Sequence, residues 1–462
     1  MTFALGCMRL STAADRDDAR GLAVLLAALD AGVTLLDTAD SYGLDDPDRG
    51  HNERLIADAR RARPTLAVRV ATKGGMARPG GRWIPDGRAG QLDATARASR
   101  ERLGTIELYL LHVIDPAVPL ATSVRALARL RTDGVVGALG LCNVNRAQVE
   151  AAQAIAPLAA IQLALSPLRA DALRSGLVAW ARARGLEVLA HRPLGGPDGA
   201  ARLARDRTMT EHAARLGATP ATLALAWLRH HGAVPLPGAT QLDTARAAAQ
   251  AVALDDEAIA ALDRRFLDRA PPTTIAMPRR DVEVVVVMGI PGAGKSTAIA
   301  SLVADGYTRL NRDERGGTLS GLARVLDDAL SEGTTRVVLD NTYPTRAQRA
   351  DVIAAAHRHG ATVRCVWLDT ALGDAQVNAA TRAYARLGHL PEPDELKRSK
   401  DPAVLPPAAL FRWQRELEPP DLDEGFTDVE RRAFVRTPRV AGAPALIVEL
   451  ADVIWRGRPI DA

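Results

Sequence analysis

The chain has 462 residues, 47% of them hydrophobic and 25% charged, with a formal net charge of +4. That balance excludes a disordered chain and does not by itself imply nucleic-acid binding, and the length suffices for two to four domains of roughly 100–200 residues. No apolar run approaches the ~20 residues of a membrane span. The opening MTFALGCMRL lacks a basic stretch followed by an apolar one, and Cys7, Cys142 and Cys365 lie far apart, so a reduced, cytoplasmic protein without a membrane partner is expected.

Residues 1–268 alternate short apolar runs with longer amphipathic stretches. Strands are predicted at 4–8, 34–37, 66–73, 108–113, 137–142, 160–163, 187–191 and 233–236. Helical patterns lie between them, for example at 18–31, 92–103, 119–132 and 146–156. Eight such units over roughly 250 residues predict an α/β (β/α)8 TIM barrel. Functional residues of that fold gather at the C-terminal ends of strands. Asp37 and Tyr42 follow predicted strand two, Lys73 closes strand three and His112 closes strand four. Their chemistry is coherent: a buried Lys73 ammonium paired with Asp37 is expected to lower the Tyr42 pKa and make it a usable proton donor, with His112 orienting a carbonyl.

Residues 269–281 are proline-rich and aperiodic and read as a linker. From 282 to 462 the pattern restarts, and its first strand leads into GIPGAGKST at 289–297, which predicts a P-loop NTPase-type three-layer α/β domain with a parallel sheet. VEVVVVMGI at 282–290 has the near-continuous apolarity of a buried parallel strand. Further strands are predicted at 337–340 and 361–368, and helices at 295–305, 319–331, 346–359 and 373–387.

Gly289, Pro291, Gly292, Ala293, Gly294, Lys295, Ser296 and Thr297 form a GxxxxGK[ST] loop between strand and helix. Its glycines let backbone amides turn inward around phosphates, Lys295 reaches the β/γ oxygens, and Ser296 can ligate Mg2+. Lysine is scarce here: Lys73, Lys295, Lys397 and Lys400 stand against 55 arginines, so a retained lysine points to chemistry that needs an ammonium. Asp313 of LNRD is placed to accept a proton from an attacking hydroxyl, and Asp340 and Asn341 of LDNT end the next strand facing the same crevice.

Two resemblances follow. GCMRL, DTADSYG, HNERLI, ATKGG, ELYLLHVID, GLCNVN, IQL and VPLPGA over residues 1–266 resemble the aldo-keto reductases. This implies NADP(H)-dependent reduction of a carbonyl substrate, with Asn143 and Gln162 holding the nicotinamide carboxamide. His191 stands where an aromatic ring usually stacks on nicotinamide, and Arg192 where serine is frequent. Thr240, Ala247 and Ala248 replace residues that usually hold the 2′-phosphate and adenine, and Arg246 is the available substitute.

GIPGAGKST, LNRD and LDNT, with a helix ending in arginines, resemble the 5′-kinase module of polynucleotide kinase/phosphatase enzymes. This implies ATP- and Mg2+-dependent phosphorylation of RNA or DNA 5′-hydroxyl ends in nucleic-acid repair. Asp313 would be the general base, Lys295 and Ser296 the phosphate and metal grips, and Arg382 the clamp on the transferring phosphoryl group. Arg312, Asp340, Asn341 and Arg386 would line the acceptor site. Lys397 and Lys400 are candidates for backbone-phosphate contact. The alternative is a P-loop kinase of a small molecule, with the barrel a non-catalytic dinucleotide- or partner-binding module.

Overall fold

A computed structural model describes residues 2–267 and 279–434, apart from 116, 316–317, 393–394, 397–400 and 402–403. The chain divides into two compact units, Met1–Asp268 and Arg269–Ala462.

In the first unit eight parallel strands follow one another around a barrel: β1 (Ala4–Gly6), β2 (Leu35–Asp37), β3 (Arg69–Gly74), β4 (Leu108–Leu111), β5 (Ala138–Cys142), β6 (Ala160–Ala164), β7 (Glu187–His191) and β8 (Ala233–Leu236). The ring is closed by a parallel bridge of Gly6 with Gly238 and by the Gly6 amide donating to the Pro237 carbonyl at 2.9 Å. Small and branched side chains from successive strands fill the interior, among them Ala4, Leu35, Ala71, Leu110, Cys142 and Leu189. The larger core lies between the strands and the surrounding helices, with fully buried Trp227 in it. The Trp227 indole N–H is satisfied by Asp263 at 2.8 Å.

Helix starts follow local chemistry. Asp17 caps Asp18–Asp30 by accepting the Arg20 amide at 2.8 Å. Asn145 and Gln148 form a reciprocal capping box at the start of Arg146–Gln153.

In the second unit five parallel strands form one sheet: β9 (Arg279–Met288), β10 (Thr308–Leu310), β11 (Arg336–Asp340), β12 (Ala361–Asp369) and β13 (Asp428–Ala433), in the order β10-β11-β9-β12-β13. The valine run of β9 serves both faces. Val284 and Val286 join the core beneath helices Leu319–Ser331 and Arg346–Arg358, while Val285 and Val287 face helix Lys295–Ala304. Only a strand covered on both sides tolerates such continuous apolarity.

Two features differ from the sequence expectation. Strand β9 begins at Arg279, inside the segment read as linker, and residues 269–278 of that segment lie outside the described residues. Strand β13 went unrecognised because its sequence, DVERRA, has no apolar alternation. It is an edge strand held partly by charge, with Arg431 donating to Asp369 at 2.8 Å and Arg364 to Glu430 at 3.4 Å. Among the described residues no helix is long and apolar enough to cross a membrane.

Candidate active sites

The strand ends of the barrel bring Asp37, Tyr42, Lys73 and His112 together. Lys73 is completely buried and spends all three ammonium hydrogens: on Asp37 at 2.9 Å, on the Thr38 carbonyl at 2.7 Å and on the Tyr42 hydroxyl oxygen at 3.2 Å. Because the phenol oxygen accepts from Lys73, the phenolic proton is left to point elsewhere. Burial pushes Lys73 towards its neutral form, but the Asp37 charge, with Tyr42, Cys142 and the hydrogen bond to Asp37 adding to it, raises its pKa on balance and keeps it an ammonium.

The expectation for Tyr42 needs correction. Burial dominates the opposing pull of Lys73, and its pKa is pushed up to about 12 rather than lowered. Tyr42 is therefore a held proton donor, and the tyrosinate is accessible only when proton transfer is coupled to another charge change. Burial, with Lys73 and His191 adding to it, drives His112 well below its usual range, so its ring is neutral. Its buried Nδ1 has no partner among the described residues.

The two amides flank this group. Gln162 donates from Nε2 to Asp37 at 2.7 Å, which leaves its Oε1 as an acceptor. Asn143, in a left-handed conformation at φ 55°, is bonded through Oδ1 to His191 Nε2 at 2.8 Å, which leaves its amino group as a donor. Burial, reinforced by Lys73 and Arg192, lowers the His191 pKa to about 4, so the neutral ring donates this bond. One donor and one acceptor remain, the complement of a carboxamide, so the residues present fit the nicotinamide end of the implied dinucleotide. Arg246, the candidate for its far end, is paired with Asp243 at 3.0 Å. Thr240, Ala247 and Ala248 offer no cation, and Ala248 is buried.

Sequence reading missed Trp83. It sits on a small hairpin, Met76–Ala77 with Ile84–Pro85, and meets Tyr42 edge-on at 6.2 Å and His112 at 6.1 Å between ring centroids. Arg78 stacks on its outer face at 3.8 Å. The Gly80-Gly81 pair between two short apolar pairs was the available signal.

Beneath the site, fully buried Asp40 accepts from Arg49 through Oδ2, while its Oδ1 has no partner among the described residues. Burial raises its pKa to about 7 against the counter-pull of Arg49. Between the ordinary carboxylate range near 4 and about 7, the folded barrel retains a proton that the unfolded chain releases. This contribution to stability is complete below the unfolded value and is lost as pH rises through about 7. Urea unfolding is expected to show lower stability at ~pH 8 than at ~pH 5, and Asp40→Asn should flatten that difference. An unchanged slope in the variant would remove Asp40 from the account.

In the second unit the loop after β9 turns through Gly289, Gly292 and Gly294, all at positive φ. Gly292 is required twice over: its φ is 90°, and a Cβ there would lie 2.5 Å from the Ala375 carbonyl oxygen. Helix Leu372–Leu387 thus packs against the loop, and Asn378 donates to the Gly292 carbonyl at 2.8 Å. Lys295 opens helix Lys295–Ala304 and folds back onto the Gly289 carbonyl at 2.9 Å. Pro291, Ala293, Ser296 and Thr297 complete the turn, with Ser296 and Thr297 exposed at the start of the helix.

Asp340 ends β11, beside β9, and its carboxylate accepts from Arg309 at 2.9 Å and from Asn311 at 2.9 Å. Asn341 accepts the Arg312 amide at 3.2 Å, tying the two strand-end segments together. Asp313 lies on helix Arg312–Arg315, directly after β10, but its side chain is outside the described set. Arg382 is exposed on helix Leu372–Leu387, whereas Arg386 is paired with Asp401 at 3.0 Å. Lys397 and Lys400 fall outside the described residues. Arg309 was not singled out in the sequence, because nothing in its local pattern shows that it reaches a neighbouring strand end.

Comparison with known proteins bears on both units. Residues 2–265 match the Aldo/keto reductase family, and residues 284–420 match an AAA domain. Among solved structures the chain is similar to a glycerol dehydrogenase from Gluconobacter oxydans, at 25% identity and a TM-score of 0.51, covering 59% of this chain and 94% of that one. It is also similar to an aldo/keto reductase from Klebsiella pneumoniae in complex with NADP and acetate, at 24% identity and a TM-score of 0.49 over 58% of this chain and 92% of that one. With its Lys73-centred strand ends and its eight-stranded ring, this chain belongs to the aldo/keto reductase family and carries a P-loop kinase-like domain C-terminal to the barrel.

Proposed function

We propose that the barrel reduces a carbonyl with NADP(H) and that the second domain transfers the γ-phosphate of ATP to a 5′-hydroxyl end of RNA or DNA. For the barrel, the carrying observation is the trident of Lys73, whose third hydrogen goes to the Tyr42 oxygen at 3.2 Å. A reduced nicotinamide supplies hydride when bound. Tyr42 gives its proton to the carbonyl oxygen as negative charge builds there, and the neighbouring ammonium holds the resulting phenolate. Neutral His112 orients the carbonyl, and the free donor of Asn143 and acceptor of Gln162 hold the carboxamide. The likeness to a glycerol dehydrogenase supports chemistry between an alcohol and a carbonyl. The full-length chain is expected to oxidise NADPH only when an aldehyde or ketone is supplied; a complete panel without turnover would leave the barrel as a binding module.

For the second domain, support comes from the glycine-shaped cradle with Lys295 and from the LNRD and LDNT motifs at adjacent strand ends. Lys295 neutralises the β/γ oxygens and Ser296 would hold Mg2+, an ion that takes its remaining ligands from phosphates and water. Asp313 takes the proton of the attacking hydroxyl as the new O–P bond forms and the β–γ bridge breaks, releasing ADP. Arg382, exposed on the helix packed against the cradle, supplies a planar cation to the transferring group. The ion pair of Arg309 with Asp340 fixes the floor of the acceptor side.

A further inference from the structure

The polar groups of the barrel mouth divide into two arcs. Asp37, Tyr42, Lys73 and His112 lie on and after β2, β3 and β4. Across the ring, β6, β7, β8 and β1 are consecutive neighbours, because β8 closes onto β1 through Gly6 and Gly238. The segments leaving these strands carry three exposed arginines: Arg169 after β6, Arg192 after β7 and Arg9, which opens the short helix Arg9–Thr12 after β1. Many exposed arginines of this chain sit in ion pairs, but among the described residues none of these three does.

Their placement is specific. Arg169 and Arg192 both act on His191, the partner of Asn143, by charge. A Cβ on Gly238 would come within 4.0 Å of the Arg9 side chain, so Arg9 lies along the seam where β8 meets β1. Arg192 is held at φ 53°, a left-handed conformation that disfavours any residue with a Cβ. The loops after strands seven and eight are where barrels of this architecture commonly bind phosphate. Helix Leu242–Ala247, after β8, carries a single cation, Arg246, which is paired with Asp243 at 3.0 Å.

We infer that Arg9, Arg169 and Arg192 form a pyrophosphate grip, and that the barrel therefore holds its dinucleotide by the bridging phosphates and does not read the 2′-phosphate. This rests on the reading of the barrel as a nicotinamide-dependent reductase and deepens it. A dinucleotide anchored at the carboxamide by Asn143 and Gln162 would run its phosphates over the arc and leave its adenosine end over a surface without a dedicated cation. NADPH and NADH then share the same phosphate contacts and are near-equivalent ligands, and that shared charge contribution is screened by salt.

The test is a titration of the full-length protein with NADPH and with NADH, followed by nicotinamide fluorescence at low and high KCl. The expected result is two affinities within about threefold of each other, each weakened by about tenfold or more between ~50 and ~500 mM salt. Arg169→Ala/Arg192→Ala, two exposed changes, should bind both at least tenfold more weakly at low salt and lose most of the salt dependence, whereas Arg246→Ala should match the parent. NADPH bound more than tenfold more tightly than NADH, or a double variant that binds like the parent, would overturn the inference while leaving the reductase reading intact. Binding of neither dinucleotide by the parent would overturn both.

Discussion

Tyr42→Phe should abolish carbonyl reduction, with the rate falling by about 10²–10⁴, the range for loss of a positioned general acid. The variant removes one oxygen and keeps the ring that packs against Trp83 and His112. NADPH affinity should stay within a factor of about two, because Asn143 and Gln162, the proposed carboxamide ligands, are fixed by His191 and Asp37 rather than by Tyr42. The separation matters. A fall in turnover with binding preserved identifies a proton donor, whereas parallel loss of both would identify a structural residue. Since the Tyr42 pKa is pushed up to about 12, activity should also be insensitive to its ionisation across neutral pH. A variant reducing aldehydes within tenfold of the parent would remove Tyr42 from the mechanism.

Lys295→Ala should cost the second domain a comparable amount, about 10²–10³ in phosphoryl transfer, because on the proposed reading it deletes the ammonium that meets the charge developing between β- and γ-phosphates. Its fold should persist: Lys295 bonds to the carbonyls of Gly289 and Ile290, at 2.9 and 3.3 Å, in a loop whose turn is set by Gly289, Gly292 and Gly294. Asp313→Ala belongs beside it, with a different signature. Loss of the base should stop transfer while ATP still binds, whereas loss of Lys295 should weaken both. Transfer by Lys295→Ala within tenfold of the parent would contradict the phosphate-grip role.

The barrel strands were legible because a buried parallel strand is a mostly apolar run ending in a polar residue. That is the pattern around Asp37, Lys73 and His112, and the P-loop carries its chemistry in its spelling. Three features were not legible, for a common reason: they depend on distance between segments and on desolvation. The direction of the Tyr42 shift turns on how far burial outweighs Lys73, which no local pattern encodes. The bonds that orient Gln162 and Asn143 link residues 125 and 48 positions apart in sequence. Arg309 reaches Asp340 across the β10–β11 pair. The Trp83 hairpin and strand β13 escaped for a simpler reason, being too short or too charged to show strand periodicity.

The central claim is that one chain joins a carbonyl reductase to a 5′-hydroxyl kinase, and the kinase half is tested most directly by transfer of labelled γ-phosphate from ATP to matched 5′-hydroxyl RNA and DNA oligonucleotides, with the Asp313→Ala protein run alongside. The account predicts labelling of at least one oligonucleotide by the parent and none by the variant, with the RNA:DNA ratio pointing to the repair pathway served. Labelling of neither by a protein that still binds ATP, or equal labelling by the variant, would contradict it, and a small-molecule acceptor would take the place of the nucleic-acid end.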